Sequence, residues 1–239
     1  MTANEIKRVR SLREKKFRDE SGCFTVEGEK LVAEAVASGW EIESVWRRDE
    51  IGEKAMERIS SLSSPSPVLA VVRKPAAREP QLPAKGLFLA LDGIRDPGNL
   101  GTILRIADWY GIDGVFASLG TVDVFNPKVV QATMGAIFRV PFHYTDIPAL
   151  CRAWNGPVYG TFLDGDDIYG KDLETGLERP VLIITGSEAD GISPEVAATV
   201  SDRLYLPPYP PDDPGSESLN AAVATALTLA EFRRRTGRA

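Results

Sequence analysis

The chain has 239 residues, 43% of them hydrophobic, and a formal charge of -6 at pH 7. This length and composition allow one large domain or two ordinary ones, and we expect two. The acidic balance argues against non-specific adhesion to nucleic acid or to an anionic membrane, because a polyanion normally meets a positive surface. Contact with a polyanion would therefore need a local basic patch.

The two cysteines, Cys23 and Cys151, stand far apart and have no partner at metal-ligand spacing. Their positions argue against a disulfide framework and a zinc site, and they fit a reducing cytosol. The chain begins with polar and charged residues, and its longest apolar runs are much shorter than a membrane span. We therefore expect a cytoplasmic protein without a metal site.

The first segment, IKRVRSLREKKFRDE at residues 6–20, is strongly basic. Its apolar residues follow helical spacing, which predicts one exposed helix with charges over the remaining surface. Such a helix is either a contact for a polyanion or a solvated surface, and the segment alone favours neither. The basic residues in this segment are Lys7, Arg8, Arg10, Arg13, Lys15, Lys16 and Arg18.

Strand and helix patterns then alternate. CFTVEG, IESVWRR and VLAVVRK read as strands, while EKLVAEAVASG, closed by Gly39, and MERISSL read as helices. This alternation predicts a small α/β domain over residues 1–74. The following segment holds three prolines and has no apolar periodicity, so residues 75–86 are predicted to be a linker.

Residues 87–239 show a longer alternation. The strand candidates are LFLALDGI, GVFAS, PVYGTFL, PVLIITG and DRLYLP. Helical patterns fall between them at NLGTILRIADWYG, NPKVVQATMGAIF, IPALCRAW and ISPEVAATV, and ESLNAAVATALTLAEFRRR ends the chain. The pattern predicts an α/β domain with a mostly parallel sheet covered by helices. In such sheets ligands bind at the carboxyl ends of the strands.

Three of the strand-end loops, DPGNLG, GSEADG and PGSESLN, combine glycine with a few polar residues. In the first, Asn99 stands at an N-cap position and Arg105 lies off the apolar face of the next helix. The second carries Glu188, and the third places Ser218 and Asn220 in the first turn of the terminal helix. Each of these residues also has an ordinary structural role as a cap, a solvated charge or an acceptor for exposed amides.

Several common site motifs are absent from the sequence. No GxGxxG follows a strand and no GxxxxGK[ST] occurs, so neither a dinucleotide fingerprint nor a P-loop is indicated. The single histidine, His143, has no evident nucleophile partner, which argues against a hydrolase triad.

The three loops, in this order, resemble the three motifs of the SpoU (TrmH) family of RNA 2'-O-ribose methyltransferases, within the SPOUT superfamily. The matching segments are DGIRDPGNLGTILRIADWYG, LIITGSEADGIS, and LPP followed by SESLNAAVATALTLAEF. The N-terminal KKFRDESGCFTVEGEKLVAEAVASG is similar to the small RNA-recognition domain that precedes the catalytic domain in many members. The resemblance implies a deep trefoil knot in residues 87–239, S-adenosylmethionine as cofactor, an RNA substrate bound by the basic N-terminal residues, and a homodimer formed through the catalytic domain.

The resemblance also implies roles for particular residues. The family's functional polar residues correspond to Asn99, Arg105, Glu188, Ser218 and Asn220. The cofactor would be held largely by main-chain groups near Thr161, Gly186, Leu206 and Leu219, together with Asn220. The third motif departs from the family pattern because residues 207–214 make it longer and richer in proline. Since a guanidinium keeps its proton at neutral pH, we expect Arg105 to bind a phosphate and stabilise the developing alkoxide rather than act as a base.

The sequence also allows other functions. A non-catalytic RNA-binding or ribosome-assembly factor could share the fold, and a small-molecule α/β enzyme is disfavoured by the basic N-terminal segment. The appended N-terminal domain favours ribosomal RNA over transfer RNA as substrate.

Overall fold

A computed structural model describes residues 1–76, 81–210, 215 and 217–237. Its contacts divide the chain into two compact units. Unit 1 contains Met1–Arg78 and Asp123–Arg139, and unit 2 contains Glu79–Val122 and Val140–Ala239. Residues 123–139 therefore pack within unit 1, although the sequence division placed them in 87–239. The predicted domain limits stay a prediction, and residues 77–80 of the predicted linker lie outside the described residues.

The secondary structure alternates along the chain, as the sequence predicts. The strands are β1 (Cys23–Glu27), β2 (Ile42–Arg47), β3 (Val68–Arg73), β4 (Gly86–Asp92), β5 (Gly114–Ala117), β6 (Phe142–Tyr144), β7 (Val158–Asp167), β8 (Pro180–Gly186) and β9 (Asp202–Tyr205). The helices are α1 (Ala3–Ser11), α2 (Lys15–Ser21), α3 (Glu29–Ala37), α4 (Arg48–Ile51), α5 (Glu53–Ile59), α6 (Pro97–Trp109), α7 (Pro127–Thr133), α8 (Ile147–Ala153), α9 (Pro194–Ala197) and α10 (Ala221–Thr236).

Unit 1 is built on a three-stranded antiparallel sheet in the order β1-β3-β2. Helices α1 and α5 cover one side of it, and their apolar residues form one core with β1 and β3. This core contains Ile6, Val9, Leu12, Cys23, Met56, Ile59, Leu69 and Val71. The apolar spacing of the basic segment is therefore explained by packing against a sheet.

The single helix expected over residues 6–20 is wrong, because the segment folds as α1 and α2 with a turn between them. Arg18 accounts for the break. Its Nη1 donates hydrogen bonds to the carbonyl oxygens of Leu12 at 2.8 Å and Arg13 at 2.7 Å, just beyond the end of α1. A side-chain donor thus satisfies carbonyls that the helix end leaves unpaired.

Arg18 also corrects the expectation of an exposed basic face, since only 1% of its surface is accessible. Its Nε and Nη2 donate to Asp123 Oδ2 at 3.0 Å and 2.6 Å, and the Asp123 side chain is 9% exposed. This buried pair ties the segment that begins at Asp123 to α2 within unit 1.

Replacing Arg18 with Met should lower the free energy of unfolding of unit 1 by about 3–5 kcal/mol, because it leaves the Asp123 carboxylate buried without its partner. The matched control is Lys15→Met, which removes an exposed pair with Asp19 and should cost about 0–1 kcal/mol. Urea unfolding followed by tryptophan fluorescence and circular dichroism measures both. A cost for Arg18→Met equal to that of the control would contradict the structural role.

Unit 2 is built on a six-stranded sheet in the order β6-β5-β4-β8-β7-β9, and every pair in it is parallel. This confirms the predicted α/β sheet. The edge strand β6, which contains His143, was not predicted. A core on one side of the sheet is formed by residues of the strands with α8 and α9, including Phe88, Phe116, Trp154 and Ile184.

Two helical predictions were too long. The segment NPKVVQATMGAIF ends its helix at Thr133, because Met134 takes a left-handed conformation with φ 50°, and only a 3-10 turn, Ala136–Phe138, follows. ISPEVAATV contains only the four-residue α9. In the described part of the chain, no helix is both long and apolar enough to cross a bilayer. Within the same residues, no three His, Cys, Asp or Glu side chains are grouped as a metal site requires.

Candidate functional site

Two of the three polar loops leave neighbouring strands. β4 and β8 pair in parallel along their whole length, so that Asp92 lies opposite Gly186 at their carboxyl ends. The loop that leads into α6 and the loop that carries Glu188 therefore start side by side. This is the edge at which open α/β sheets bind their ligands.

The N-terminus of α6 leaves the Asn99 side chain available for this edge. We expected Asn99 to be the N-cap, but the cap is Asp96, whose Oδ1 accepts a hydrogen bond from Asn99 N at 2.8 Å. Pro97 occupies the first helical position, where a missing N–H costs nothing. Asn99 therefore lies in the first turn, and its amide is not used to cap the helix.

The N-terminus of α10 also differs from the prediction. The sequence suggested that Ser218 and Asn220 fall within the first turn, whereas Asn220 is the N-cap and the helix starts at Ala221. Asn220 Oδ1 accepts hydrogen bonds from Ala222 N at 3.0 Å and from Val223 N at 3.3 Å. Its Nδ2 remains free to donate elsewhere.

A chain of side-chain hydrogen bonds joins the three loops. Asn220 Nδ2 donates to Asn99 Oδ1 at 3.0 Å, and Asn99 Nδ2 donates to Glu188 Oε1. Asn99 is the central member because its amide is both acceptor and donor. The structure thus brings together residues that are 89 and 121 positions apart in sequence.

The loop that carries Glu188 is fixed at both ends. Ser187 and Gly191 exchange two main-chain hydrogen bonds of 3.1 Å and 3.0 Å. Beyond them, Ser193 N donates to Asp92 Oδ2 at 2.8 Å. Asp92 is 9% exposed and stands at the end of β4. Sequence reasoning missed this positioning role, although an acidic residue at the end of a buried strand was a usable signal.

Two of the five predicted polar residues, Arg105 and Ser218, are not part of the hydrogen-bonded chain. Arg105 is on the exposed side of α6, and among the described residues it has no hydrogen bond or ion pair. Ser218 is exposed just before Asn220. Both side chains are therefore accessible to a ligand. Residues 211–214 of the proline-rich segment lie outside the described residues.

The sheet opens between β7 and β8 next to the hydrogen-bonded side chains, and we call this opening the fork. β7 pairs with β8 only as far as Gly160 opposite Ile184, whereas β8 continues beside β4 to Gly186. On the other side of β7, Leu204 pairs with both Thr161 and Asp166, so residues 162–165 leave the ladder. Beyond this point β7 and β8 no longer pair with each other, so main-chain groups on their facing edges are released from regular pairing.

The fork fits a cofactor that is held mainly by main-chain groups. Thr161 Oγ1 donates to Ile184 O at 3.2 Å and keeps the two strands close where their ladder ends. At Gly186, a Cβ atom would lie 2.1 Å from the carbonyl carbon of Gly191, so the loop closes over this position only with glycine. Leu206 and Leu219, half-buried and exposed respectively, add apolar surface on the segments that follow β9 and precede α10.

The exposed basic residues of unit 1 are partly neutralised. Arg8 pairs with Glu43, and Lys15 pairs with Asp19. Hydrogen bonds from Lys15 and Lys74 lower the pKa of Asp19 to about 2, below its usual range, because both cations favour the ionised carboxylate. Arg13 donates to the carbonyl oxygens of Ser60 and Arg58. Three further exposed cations on α1 and α2 are Lys7, Arg10 and Lys16.

The comparison with known families agrees with this geometry. Residues 86–230 match the SpoU rRNA Methylase family. The chain belongs to this family. Residues 3–71 match the MRM3-like substrate binding domain, so the SpoU methylase region is preceded by a second recognisable module.

Relatives match over nearly the whole chain. The 23S rRNA (guanosine(2553)-2'-O)-methyltransferase RlmP of Bacillus subtilis is 30% identical, with 96% of each chain covered. The AdoMet-bound rRNA methyltransferase of Sinorhizobium meliloti is 32% identical, with a TM-score of 0.87, covering 100% of this chain and 97% of its own. A candidate RNA methyltransferase of the TrmH family from Porphyromonas gingivalis is 41% identical, with a TM-score of 0.85, covering 98% and 99% of the two chains.

A double-mutant cycle tests the contact between Asn99 and Asn220. Asn220→Ala should cost about 1 kcal/mol of stability through the lost cap, with a further coupling of about 0.5–3 kcal/mol to Asn99→Ala. The matched control is Asp146→Ala, which removes the α8 cap that accepts from Ala149 N at 2.8 Å. It should cost a similar amount and show no coupling to Asn99→Ala. Thermal unfolding measures the three single and two double variants. Equal coupling in both cycles would contradict the hydrogen bond between Asn99 and Asn220.

Proposed function

We propose that this protein transfers a methyl group from S-adenosylmethionine to a ribose 2'-hydroxyl of ribosomal RNA. The hydrogen-bonded chain of Asn220, Asn99 and Glu188 carries the proposal, because it unites the three family motifs at the carboxyl edge of β4 and β8. The chain's membership of the SpoU family supports it, as do relatives named rRNA methyltransferases that match both units. The presence of all the family's polar residues favours an enzyme over a non-catalytic assembly factor.

The bound cofactor supplies an electrophilic methyl group on a sulfonium, so the protein has to align the acceptor and accommodate the loss of one proton. A new carbon–oxygen bond forms at the ribose as the carbon–sulfur bond breaks, and the hydroxyl proton leaves. We assign Asn99, Glu188, Ser218 and Asn220 to orienting the ribose and holding the loops. Main-chain groups near Thr161, Gly186, Leu206 and Leu219, together with Asn220, would hold the cofactor.

Arg105 is assigned to the phosphate beside the target ribose. Its side chain is exposed and has no partner among the described residues, so it is accessible to an anionic ligand. Near the reacting oxygen, the same charge would stabilise the developing alkoxide, with proton loss to the phosphate or to water. A guanidinium does not give up its own proton readily enough to be the base.

We assign recognition of the RNA to unit 1, which the match to a substrate binding domain supports. This module also favours ribosomal RNA over transfer RNA. The exposed residues Lys7, Arg8, Arg10, Lys15 and Lys16 and the half-buried Arg13 would contact phosphates. We omit Arg18 because its guanidinium is buried against Asp123. An RNA substrate and two buried, free cysteines support a cytoplasmic location.

We also propose that the segment after β9 forms the trefoil knot of the SPOUT superfamily. The path of the chain supports this. β9 lies at the sheet edge beyond β7, yet Asn220 returns to Asn99 beside β4. Tyr205, the last residue of β9, and Asn220 therefore lie on opposite sides of β7 and β8 along the sheet.

A homodimer through unit 2 is proposed from its exposed apolar residues. α6 and α10 pack against each other, and both present apolar side chains to solvent. Trp109 on α6 is 84% exposed, while Val223 and Leu227 on α10 are 47% and 41% exposed. Apolar side chains on paired helices are typical of a surface that a second subunit covers.

The proposed activity is tested by incubating the protein with radiolabelled S-adenosylmethionine and unmodified ribosomal RNA, followed by nucleoside analysis. We expect label in a 2'-O-methylated nucleoside. Label in transfer RNA alone would mean that the substrate is transfer RNA and not ribosomal RNA. Cofactor binding without methyl transfer to any RNA would favour the assembly-factor alternative.

Arg105→Ala should reduce the rate of methyl transfer by about 100-fold or more, as expected when one group that stabilises developing charge is removed. Arg105→Lys should recover only part of the rate, because an ammonium lacks the planar fork of the guanidinium. Arg152→Ala, which alters another exposed arginine of unit 2, should leave the rate unchanged. Near-normal turnover by Arg105→Lys would rule out a bidentate role.

Trp109→Glu should weaken self-association by at least about 30-fold, because an aromatic side chain that anchors an interface is worth about 2 kcal/mol or more. Leu177→Glu is the control, since Leu177 is 62% exposed in the segment that precedes β8. Analytical ultracentrifugation measures both. A dimer that tolerates Trp109→Glu as well as it tolerates Leu177→Glu would place the interface elsewhere.

A further inference from the structure

Unit 1 contains a groove that lies outside the site described above. It is an open cleft of about 280 Å³, lined by Ser61, Leu62, Pro127, Lys128, Gln131 and Ala132. One wall is the turn that follows α5, and the other is the exposed side of α7. Both walls belong to unit 1.

The walls of the groove are held firmly before any ligand arrives. The buried carboxylate of Glu27 accepts hydrogen bonds from Ser60 Oγ, from Ser61 N at 3.0 Å and from Ser66 N at 3.2 Å, which fixes the first wall. On the other side, Val129 and Val130 are buried and anchor α7. A groove with rigid walls loses little conformational entropy on binding.

The chemistry of the groove combines apolar walls with polar groups that have no protein partner. Leu62 and Pro127 are half-buried and present apolar surface to the groove. Among the described residues, the Gln131 amide makes no side-chain hydrogen bond and the Lys128 ammonium makes no ion pair. A primary amide reads the donor and acceptor edge of a base, and an ammonium binds phosphate.

We propose that this groove binds one unpaired nucleotide of the RNA substrate. The base packs between Leu62 and Pro127, the Gln131 amide reads its edge, and Lys128 contacts its phosphate. This inference rests on the proposed function, because it gives unit 1 a pocket for a base in addition to its exposed cations. Recognition of splayed-out bases in pockets is how proteins usually read single-stranded RNA.

The size of the groove fits one base rather than a larger ligand. Its volume lies just below the range of about 300–1,000 Å³ that holds drug-sized molecules. Lys128 is the cation among the lining residues and is exposed, which places the phosphate at the rim of the groove. The base therefore occupies the groove and the backbone stays outside.

The test measures binding of the full chain to fluorescein-labelled 12-mers of oligouridylate and oligoadenylate and to an abasic 12-mer with the same ribose-phosphate backbone. Leu62→Trp fills the groove, and Gln131→Ala removes the amide. The control is Val36→Trp, which enlarges an apolar residue that is 59% exposed elsewhere in unit 1.

We expect Leu62→Trp and Gln131→Ala to weaken binding of at least one base-bearing 12-mer by about fivefold or more, the usual effect of losing one base contact. The two groove variants should bind the abasic 12-mer within twofold of the affinity of the unchanged protein and keep its melting temperature. Val36→Trp should bind every 12-mer within twofold of the affinity of the unchanged protein. The proposal would be overturned if the groove variants bound the base-bearing 12-mers as tightly as the unchanged protein does. It would also be overturned if the groove variants lost as much affinity for the abasic 12-mer as for the base-bearing ones, because the groove would then contact only phosphate.

A second measurement separates this inference from the proposed function. In methyl transfer to ribosomal RNA, the two groove variants should raise the KM for RNA and leave binding of S-adenosylmethionine unchanged. If the unchanged protein methylates ribosomal RNA and the variants do so with the same KM, the groove fails while the function stands. If it methylates no RNA, the function fails, and the oligonucleotide binding alone decides the groove.

Discussion

The parallel pairing of β4 with β8 is the constraint on which the site depends. It places Asp92 opposite Gly186, so that two loops which are far apart in sequence leave the sheet side by side. The buried Asp92 carboxylate then holds the Glu188 loop through Ser193 N. Once these loops are fixed, the side chain of Asn99 spans the gap between them. A one-residue slip in this pairing would turn every side chain of β4 to the opposite face and separate the three polar residues.

The third loop joins the site through helix capping. Asn220 caps α10 with its carboxamide oxygen and uses its nitrogen to reach Asn99. One side chain thus both starts a helix and closes the site, which links the stability of α10 to the geometry of the polar chain. In unit 1, Arg18 also has two roles, because its guanidinium donates to a carbonyl oxygen at the end of α1 and to the carboxylate of Asp123.

Much of the fold follows from the sequence because local patterns carry it. Runs such as LFLALDGI and VLIIT predict buried parallel strands, and polar residues at their ends predict the site. The errors arise where a tertiary contact decides a local question. Asp96, and not Asn99, caps α6. The segment that reads as one amphipathic helix is divided into α1 and α2, and Arg18 after the turn is buried against Asp123. The three-residue β6 is too short to show periodicity.

The most direct test of the account is calorimetric titration with S-adenosylmethionine of the unchanged protein, Gly186→Ala and Gly120→Ala. A Cβ at Gly186 would meet the main chain of Gly191 at 2.1 Å, whereas a Cβ at Gly120 has no atom within 4 Å. We predict that the unchanged protein and Gly120→Ala bind the cofactor equally and that Gly186→Ala, while still folded, binds it at least about tenfold more weakly. Equal binding by all three proteins, or by none of them, would contradict a cofactor site where the pairing of β7 with β8 ends.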